Sequence, residues 1–147
     1  MKDPIHIVSI NVILKYQNQY LLLQRNRNDN IFPCKWQNLG GKVEIGERLE
    51  ESLIRECYEE TKIKIHKNLH PIFIMSYSWT KDHDPMTRMG IVFMFKLSTK
   101  PKRIGLSNEH ENYGWFTYSQ AKKLETIGIE SPTGTLKQLE KAEKFKI

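Results

Sequence analysis

Glu56, Glu59 and Glu60 stand at i, i+3 and i+4 within Arg48–Thr61. On an α-helix those positions share one side, so three carboxylates meet within little more than a turn. Like charges so placed repel unless something positive lies among them. A hard divalent cation with oxygen ligands meets that need, and Mg²⁺ would keep some waters and share its remaining positions with carboxylates and substrate phosphates. Pairing with Arg55, Lys62 and Lys64 meets it too, and would make the cluster a solvated helix face.

The charge balance bears on the choice. The chain has 147 residues and a formal charge of +6. Between Gly41 and Ile63 there are seven glutamates and four basic residues, a net of −3, which leaves +9 on the rest. An acidic segment in a basic protein suits a cation-dependent site for phosphate, because divalent ions need carboxylates and phosphates need positive surroundings. Five histidines, at 6, 66, 70, 83 and 110, include one pair four apart, His66 and His70, in a stretch that ends at Pro71 and does not read as a helix. Without a nearby cysteine or third histidine that pair makes no zinc site. Cys34 and Cys57 are too few for a disulfide framework and read as buried thiols.

These residues need a frame. Ile5–Lys15 and Tyr20–Arg25 are apolar runs separated by Gln17-Asn18, a hairpin pattern. Asn26–Lys35 is polar with Pro33 and reads as a loop, and Trp36–Gly41 ends in two glycines that allow close backbone approach. In Arg48–Thr61 the positions Leu49, Ser52, Leu53 and Cys57 fall at steps of three and four, flanked by Ile54 and Tyr58, which predicts a helix. Ile63–Ile65, Pro71–Trp79, Arg88–Leu97 and Asn112–Thr117 read as strands, Thr80–Thr87 as a polar connection with Pro85, and Ser119–Leu124 and Thr135–Phe145 as helices. The simplest assembly is one α/β domain over residues 1–147, a mixed sheet covered on both faces. No uncharged apolar run approaches the ~18 residues of a membrane span, and Ile5–Leu14, broken by His6 and Asn11, does not read as a signal peptide. The expected location is the cytoplasm.

The segment GKVEIGERLEESLIRECYEETKI resembles the Nudix box, with Gly41, Glu47, Arg55, Glu56, Glu59, Glu60 and Ile63 in register over 23 residues. Two positions depart from it. Cys57 replaces an aliphatic residue, which a buried thiol tolerates. Lys62 replaces the glycine that would end the helix in a left-handed conformation, at a cost of about 1 kcal/mol unless the helix ends differently. The resemblance implies a Nudix fold, a mixed sheet between helices, and Mg²⁺ or Mn²⁺ bound by Glu56, Glu59, Glu60 and the Gly40 carbonyl. It implies that Arg55 orients the glutamates, that Glu47 steadies the loop–helix junction, and that the base is either Glu56 or a later loop glutamate. In LSNEHENYGWF, Glu109 is favoured over Glu111 for that part.

Outside the box, Arg25 and Lys42 are candidate phosphate contacts. Gln37 and Asn38 are candidate amide contacts to a base that Phe32 or Trp36 would stack on, while Trp79, Trp115 and Phe116 are assigned to packing. WQNLGGKVE is similar to enzymes that hydrolyse nucleoside triphosphates, oxidised purine forms included. The implied reaction is triphosphate to monophosphate and pyrophosphate. ADP-ribose, a dinucleoside polyphosphate or dihydroneopterin triphosphate are alternative substrates, and a non-catalytic nucleotide- or RNA-binding module is the alternative class. The expected partner is a small nucleotide rather than a nucleic acid or membrane, and the chain is expected to be a monomer or homodimer.

Overall fold

The computed structural model describes residues 2–80, 86–129 and 131–145. The polar connection expected at Thr80–Thr87 falls, over 81–85, outside the described residues. In chain order the elements are β1 (Ile7–Tyr16), β2 (Gln19–Arg25), β3 (Trp36–Gln37), β4 (Leu39–Lys42), α1 (Leu49–Thr61), β5 (Ile72–Thr80), β6 (Thr87–Leu97), β7 (His110–Phe116), α2 (Tyr118–Ala121) and α3 (Thr135–Glu143).

The hairpin forms as expected, with Gln17 at φ 53° in the turn, but β2 stays with β1 for only the pairs Lys15↔Tyr20 and Tyr16↔Gln19. It then leaves the β1 edge and runs between β7 and β3. The vacated edge of β1, Ser9–Val12, is taken by β4, while the other edge pairs with β6 in parallel and β6 with β5 antiparallel. This sharing of one edge sets Gly40 and Gly41 opposite Asn11 and Ile10.

Alternation along the strands makes two cores, because successive side chains face opposite sides of a sheet. Ile10, Val12 and Leu14 of β1, Leu21 and Leu23 of β2 and Phe95 of β6 pack with Leu53 and Cys57 of α1. Ile13, Tyr20, Leu22, Val92 and Met94 face the other way and pack with Ala121 of α2 and Leu139 and Ala142 of α3. The mixed sheet between helices is thus as anticipated. Each fully buried Leu or Ile contributes about 1.5–3 kcal/mol.

Two local readings need correction, and Lys62 shows how α1 ends. Ile63–Ile65 forms no strand; it is a loop whose isoleucines, 8% and 6% exposed, drop into the α1-side core, so burial and not a ladder explains the apolar spacing. Cys34 is exposed, in a left-handed conformation at φ 62°, so of the two thiols Cys57 alone is buried. Lys62 ends α1 in the left-handed conformation itself, at φ 63°, with its N–H donating to the Tyr58 carbonyl at 2.8 Å. Its ammonium lies 4.9 Å from the centre of the Tyr58 ring. That cation–π contact is worth about 0.5–1 kcal/mol at an exposed site and offsets much of the left-handed strain.

Candidate active site

At the start of α1, Arg48 takes an extended conformation as N-cap and its N–H donates to Glu51 Oε1 at 3.1 Å. Glu50 and Glu51 in the first turn suit the positive end of the helix dipole. The helix buries Ser52, Leu53, Glu56, Cys57, Glu60 and Thr61. Two of the three spaced glutamates therefore sit on its buried side. Glu56 and Glu60 are 7% and 4% exposed, whereas the side chain of Glu59 is about half exposed.

The glycines of β4 allow this. A methyl group on Gly41 would lie 2.2 Å from Glu56 Oε1, so the carboxylate rests against bare backbone. Gly40 N–H donates to Glu60 Oε1 at 3.1 Å. Gly40, Gly41, Lys42, Glu56, Glu59 and Glu60 line a cleft of about 520 Å³ whose far wall is Ser107, Asn108 and Glu109.

Arg55 organises the acidic side. Its guanidinium donates to Glu47 through Nε and Nη2 at 2.6 and 3.0 Å, to Glu56 Oε1 at 2.8 Å, to Glu59 Oε2 at 3.2 Å and to the Lys42 carbonyl at 3.0 Å. A planar five-donor fork is suited to this multiple engagement and an ammonium is not. Glu47 also accepts from Ser52 Oγ at 2.6 Å and from the Glu44 N–H at 3.0 Å. The hydrogen bonds from Arg55, then from Ser52 and Glu44, hold its carboxyl at about 2.

Glu60 is in the opposite condition. Burial, reinforced by the charges of Glu56 and Glu109 against a lowering by the Gly40 hydrogen bond, pushes it up to about 8. Burial also raises Glu56, although the Arg55 hydrogen bond and charge oppose it. Glu60 Oε2 is buried with no hydrogen-bond partner. An orphaned oxygen on a buried carboxylate, with further carboxylates lining the same cleft, is an arrangement completed by a cation with oxygen preference. The donor set fits a hard divalent ion.

The loop before β7 adds Glu109, exposed, whose backbone bonds to Ser107 and Asn26 but whose carboxylate has no hydrogen bond or ion pair among the described residues, and His110, 4% exposed. Glu60, Glu109 and His110 bring one ligand atom each to within 4.8 Å of one another. Burial, then the charge of Arg25, lowers His110 to about 4, so the ring is neutral at pH 7. Glu111 points elsewhere and pairs with Arg27 at 3.2 Å.

A second cavity, of about 380 Å³, opens on the α3 side of the sheet. Phe32, Tyr77 and Trp79 give it aromatic walls, and Asn11, Gln37 and Asn38 give it polar ones. Gln37 and Asn38 thus line a pocket as anticipated, but their amide donors are engaged. Gln37 Nε2 lies 2.7 Å from His110 Nε2, and Asn38 Nδ2 donates to Gln138 Oε1 at 2.9 Å. Arg25 is held by Asp29 at 2.5 Å and donates to Gln37 Oε1 at 3.5 Å, away from the carboxylate cleft. Lys42 lies at the cleft.

Of the aromatic candidates Phe32 reaches the pocket, while Trp36 packs edge-on against Phe116 with ring centres 5.2 Å apart. Trp79, assigned to packing, is 40% exposed and lines the pocket under the Arg88 guanidinium, 5.3 Å from its centre. Asn11, Tyr77 and His110 were missed as well. One signal was present: Asn11 is a polar break in an apolar strand.

Residues 5–135 match the NUDIX domain family. The chain belongs to this family. It is 31% identical over 125 residues to the NAD-capped RNA hydrolase NudC of Pectobacterium carotovorum, covering 81% of this chain and 42% of that protein. It thus spans about two fifths of that relative's length. It is 27% identical over 138 residues to the nucleoside triphosphatase NudI of Klebsiella pneumoniae, covering 91% of the chain and 98% of the relative. In structure it matches the MutT protein of Methanosarcina mazei, TM-score 0.71, 23% identity, with 99% of each chain covered. Nudix hydrolases use divalent metal ions, and this acidic cluster is compatible with one. No helix among the described residues is long and apolar enough to cross a membrane.

Proposed function

We propose that this Nudix chain hydrolyses a nucleoside triphosphate to the monophosphate and pyrophosphate. The observation that carries the reading is adjacency: residues 37 and 38, at the end of β3 and just after it, line the aromatic pocket, and residues 40–42, in β4 immediately following, line the carboxylate cleft. One polar molecule with an aromatic end and an anhydride end fills both. Phe32 and Trp79 stack on the base, Gln37 and Asn38 wall the pocket, and Arg25, tied to Asp29 and Gln37, fixes that wall. Lys42 meets phosphate at the mouth of the cleft.

Glu56, Glu59 and Glu60 with the Gly40 carbonyl hold the divalent ion, Mg²⁺ or Mn²⁺. When bound, such an ion neutralises phosphate charge and lowers the pKa of coordinated water. Glu56 is engaged by Arg55 and packed on Gly41, whereas Glu109 lines the cleft with a carboxylate that has no hydrogen bond or ion pair among the described residues. Glu109 is therefore the better placed base. It takes the proton of a water whose oxygen bonds to phosphorus as the anhydride P–O bond breaks and the departing phosphate oxygen takes the electron pair. Arg55 and Glu47 fix the loop and helix that carry the carboxylates.

The test is turnover of nucleoside triphosphates, ADP-ribose and dinucleoside polyphosphates with Mg²⁺ and with Mn²⁺, resolving pyrophosphate from orthophosphate. Monophosphate and pyrophosphate are the expected products, and absence of turnover on every anhydride sinks the reading. Glu109→Gln should lower kcat by about 10²–10⁴-fold. If Glu109→Gln turns over normally and Glu56→Gln does not, the base is Glu56.

A further inference from the structure

Gln37, His110 and Glu60 form a line of contacts from the wall of the aromatic pocket to the carboxylate cleft. On one side of the imidazole, Nε2 lies 2.7 Å from Gln37 Nε2; on the other, Nδ1 lies 3.6 Å from Glu60 Oε2. His110 Nδ1 and Glu60 Oε2 are both buried and neither has another hydrogen-bond partner. The pairing of β2 with β7 shifts register between Gln24 and Arg25, which sets His110 opposite Arg25. Bulges of this kind re-aim side chains at sites.

The tautomer follows from the neighbours. Arg25 Nη1 approaches Gln37 Oε1 at 3.5 Å, and because arginine only donates, the amide atom facing it is the oxygen. Gln37 therefore turns its NH₂ towards the ring. His110 Nε2 must accept, and a neutral imidazole then carries its proton on Nδ1. That N–H faces the orphaned Glu60 oxygen, at a distance a small side-chain rotation closes to a hydrogen bond. Such contacts in ligand-free sites are commonly long and tighten on binding.

We propose that His110 is a positioning residue, held by Gln37 as the Nδ1–H tautomer, which fixes the buried Glu60 carboxylate for metal binding without ligating the ion. With Gly40 N–H on Oε1 and His110 on Oε2, Glu60 is gripped at both oxygens. The inference rests on the metal reading of the cleft and assigns His110 outside the coordination sphere, since a protonated Nδ1 has no lone pair to give.

Two measurements on the full chain test it. Long-range ¹⁵N–¹H correlation spectra of the imidazoles, with saturating diamagnetic Mg²⁺ so that Glu60 is a carboxylate, should show His110 as Nδ1–H, shifting towards Nε2–H in Gln37→Leu. A wild-type Nε2–H tautomer overturns the proposal. Mn²⁺ binding followed by electron paramagnetic resonance should weaken by about 10–100-fold in His110→Leu, the usual effect of losing an outer-shell partner. His110→Asn, which places an amide N–H near the Nδ1 position, should recover much of that affinity. Equal Mn²⁺ affinity in His110→Leu and wild type also overturns the proposal. Failure of the wild-type protein to bind Mn²⁺ at all instead overturns the metal reading beneath it. If His110→Leu does not fold, the spectra and His110→Asn still decide.

Discussion

Stripped of divalent metal, the protein should lose stability as pH rises from about 6.5 to about 8, and Glu60→Gln should abolish that loss. Burial holds the folded-state Glu60 at about 8 against 4.5 for the free group. Between those values the folded chain binds a proton that the unfolded chain has released, so stability falls as pH rises. The window above 6.5 is nearly clear of His110, because lowering it from 6.5 to about 4 makes its folded and unfolded forms differ in bound protons mainly between those two values. About one and a half pH units at 1.36 kcal/mol per unit gives roughly 2 kcal/mol. For a chain of this size that is a Tm drop of roughly 4–8 °C. Calorimetry in EDTA across the window measures it, and Mg²⁺ or Mn²⁺ should restore more stability at pH 8 than at 6.5 because the cation competes with the proton for Glu60. A wild-type Tm that stays level or climbs, in parallel with Glu60→Gln, refutes the argument that a buried, unpaired carboxylate forms the floor of the cleft.

Other outcomes follow from single contacts. Gly41→Ala should fold yet bind Mn²⁺ poorly and lose most activity, since its methyl would displace Glu56 from a position 2.2 Å away; titration calorimetry with melting as a control checks both. Lys62→Gly should raise Tm slightly, relieving about 1 kcal/mol of left-handed strain while losing about 0.5 kcal/mol of cation–π contact. Lys62→Ala, which keeps the strain and loses the contact, should melt below wild type. Trp79→Ala should raise KM for the nucleotide several-fold with little change in kcat, because stacking on the base holds ground and transition states alike; an unchanged KM removes Trp79 from the pocket's work.

The acidic cluster was legible in the sequence because helical spacing is local: Glu56, Glu59 and Glu60 share a side wherever the helix packs. Arg55 and Glu47 were legible by their places in the Nudix box, and the two-sided core by strand alternation. Spacing did not divide the three glutamates into two buried and one half exposed. That division follows from β4 occupying the β1 edge that β2 gives up, which lays Gly40 and Gly41 against the helix. Nor did spacing show that Ile63–Ile65 is a buried loop, since an apolar run that fills a core looks the same with or without a ladder.

The local chemistry of the helix was thus set by sequence, but its end was not: at Lys62 the backbone takes the left-handed conformation without the glycine. Only the tertiary structure brought together residues distant in the chain: Gln37 with His110, Asn38 with Gln138, and Trp79 with Phe32 around one pocket. The reason is physical. Periodicity fixes which side of its own element a residue takes, whereas strand pairing and register fix what stands on the other side.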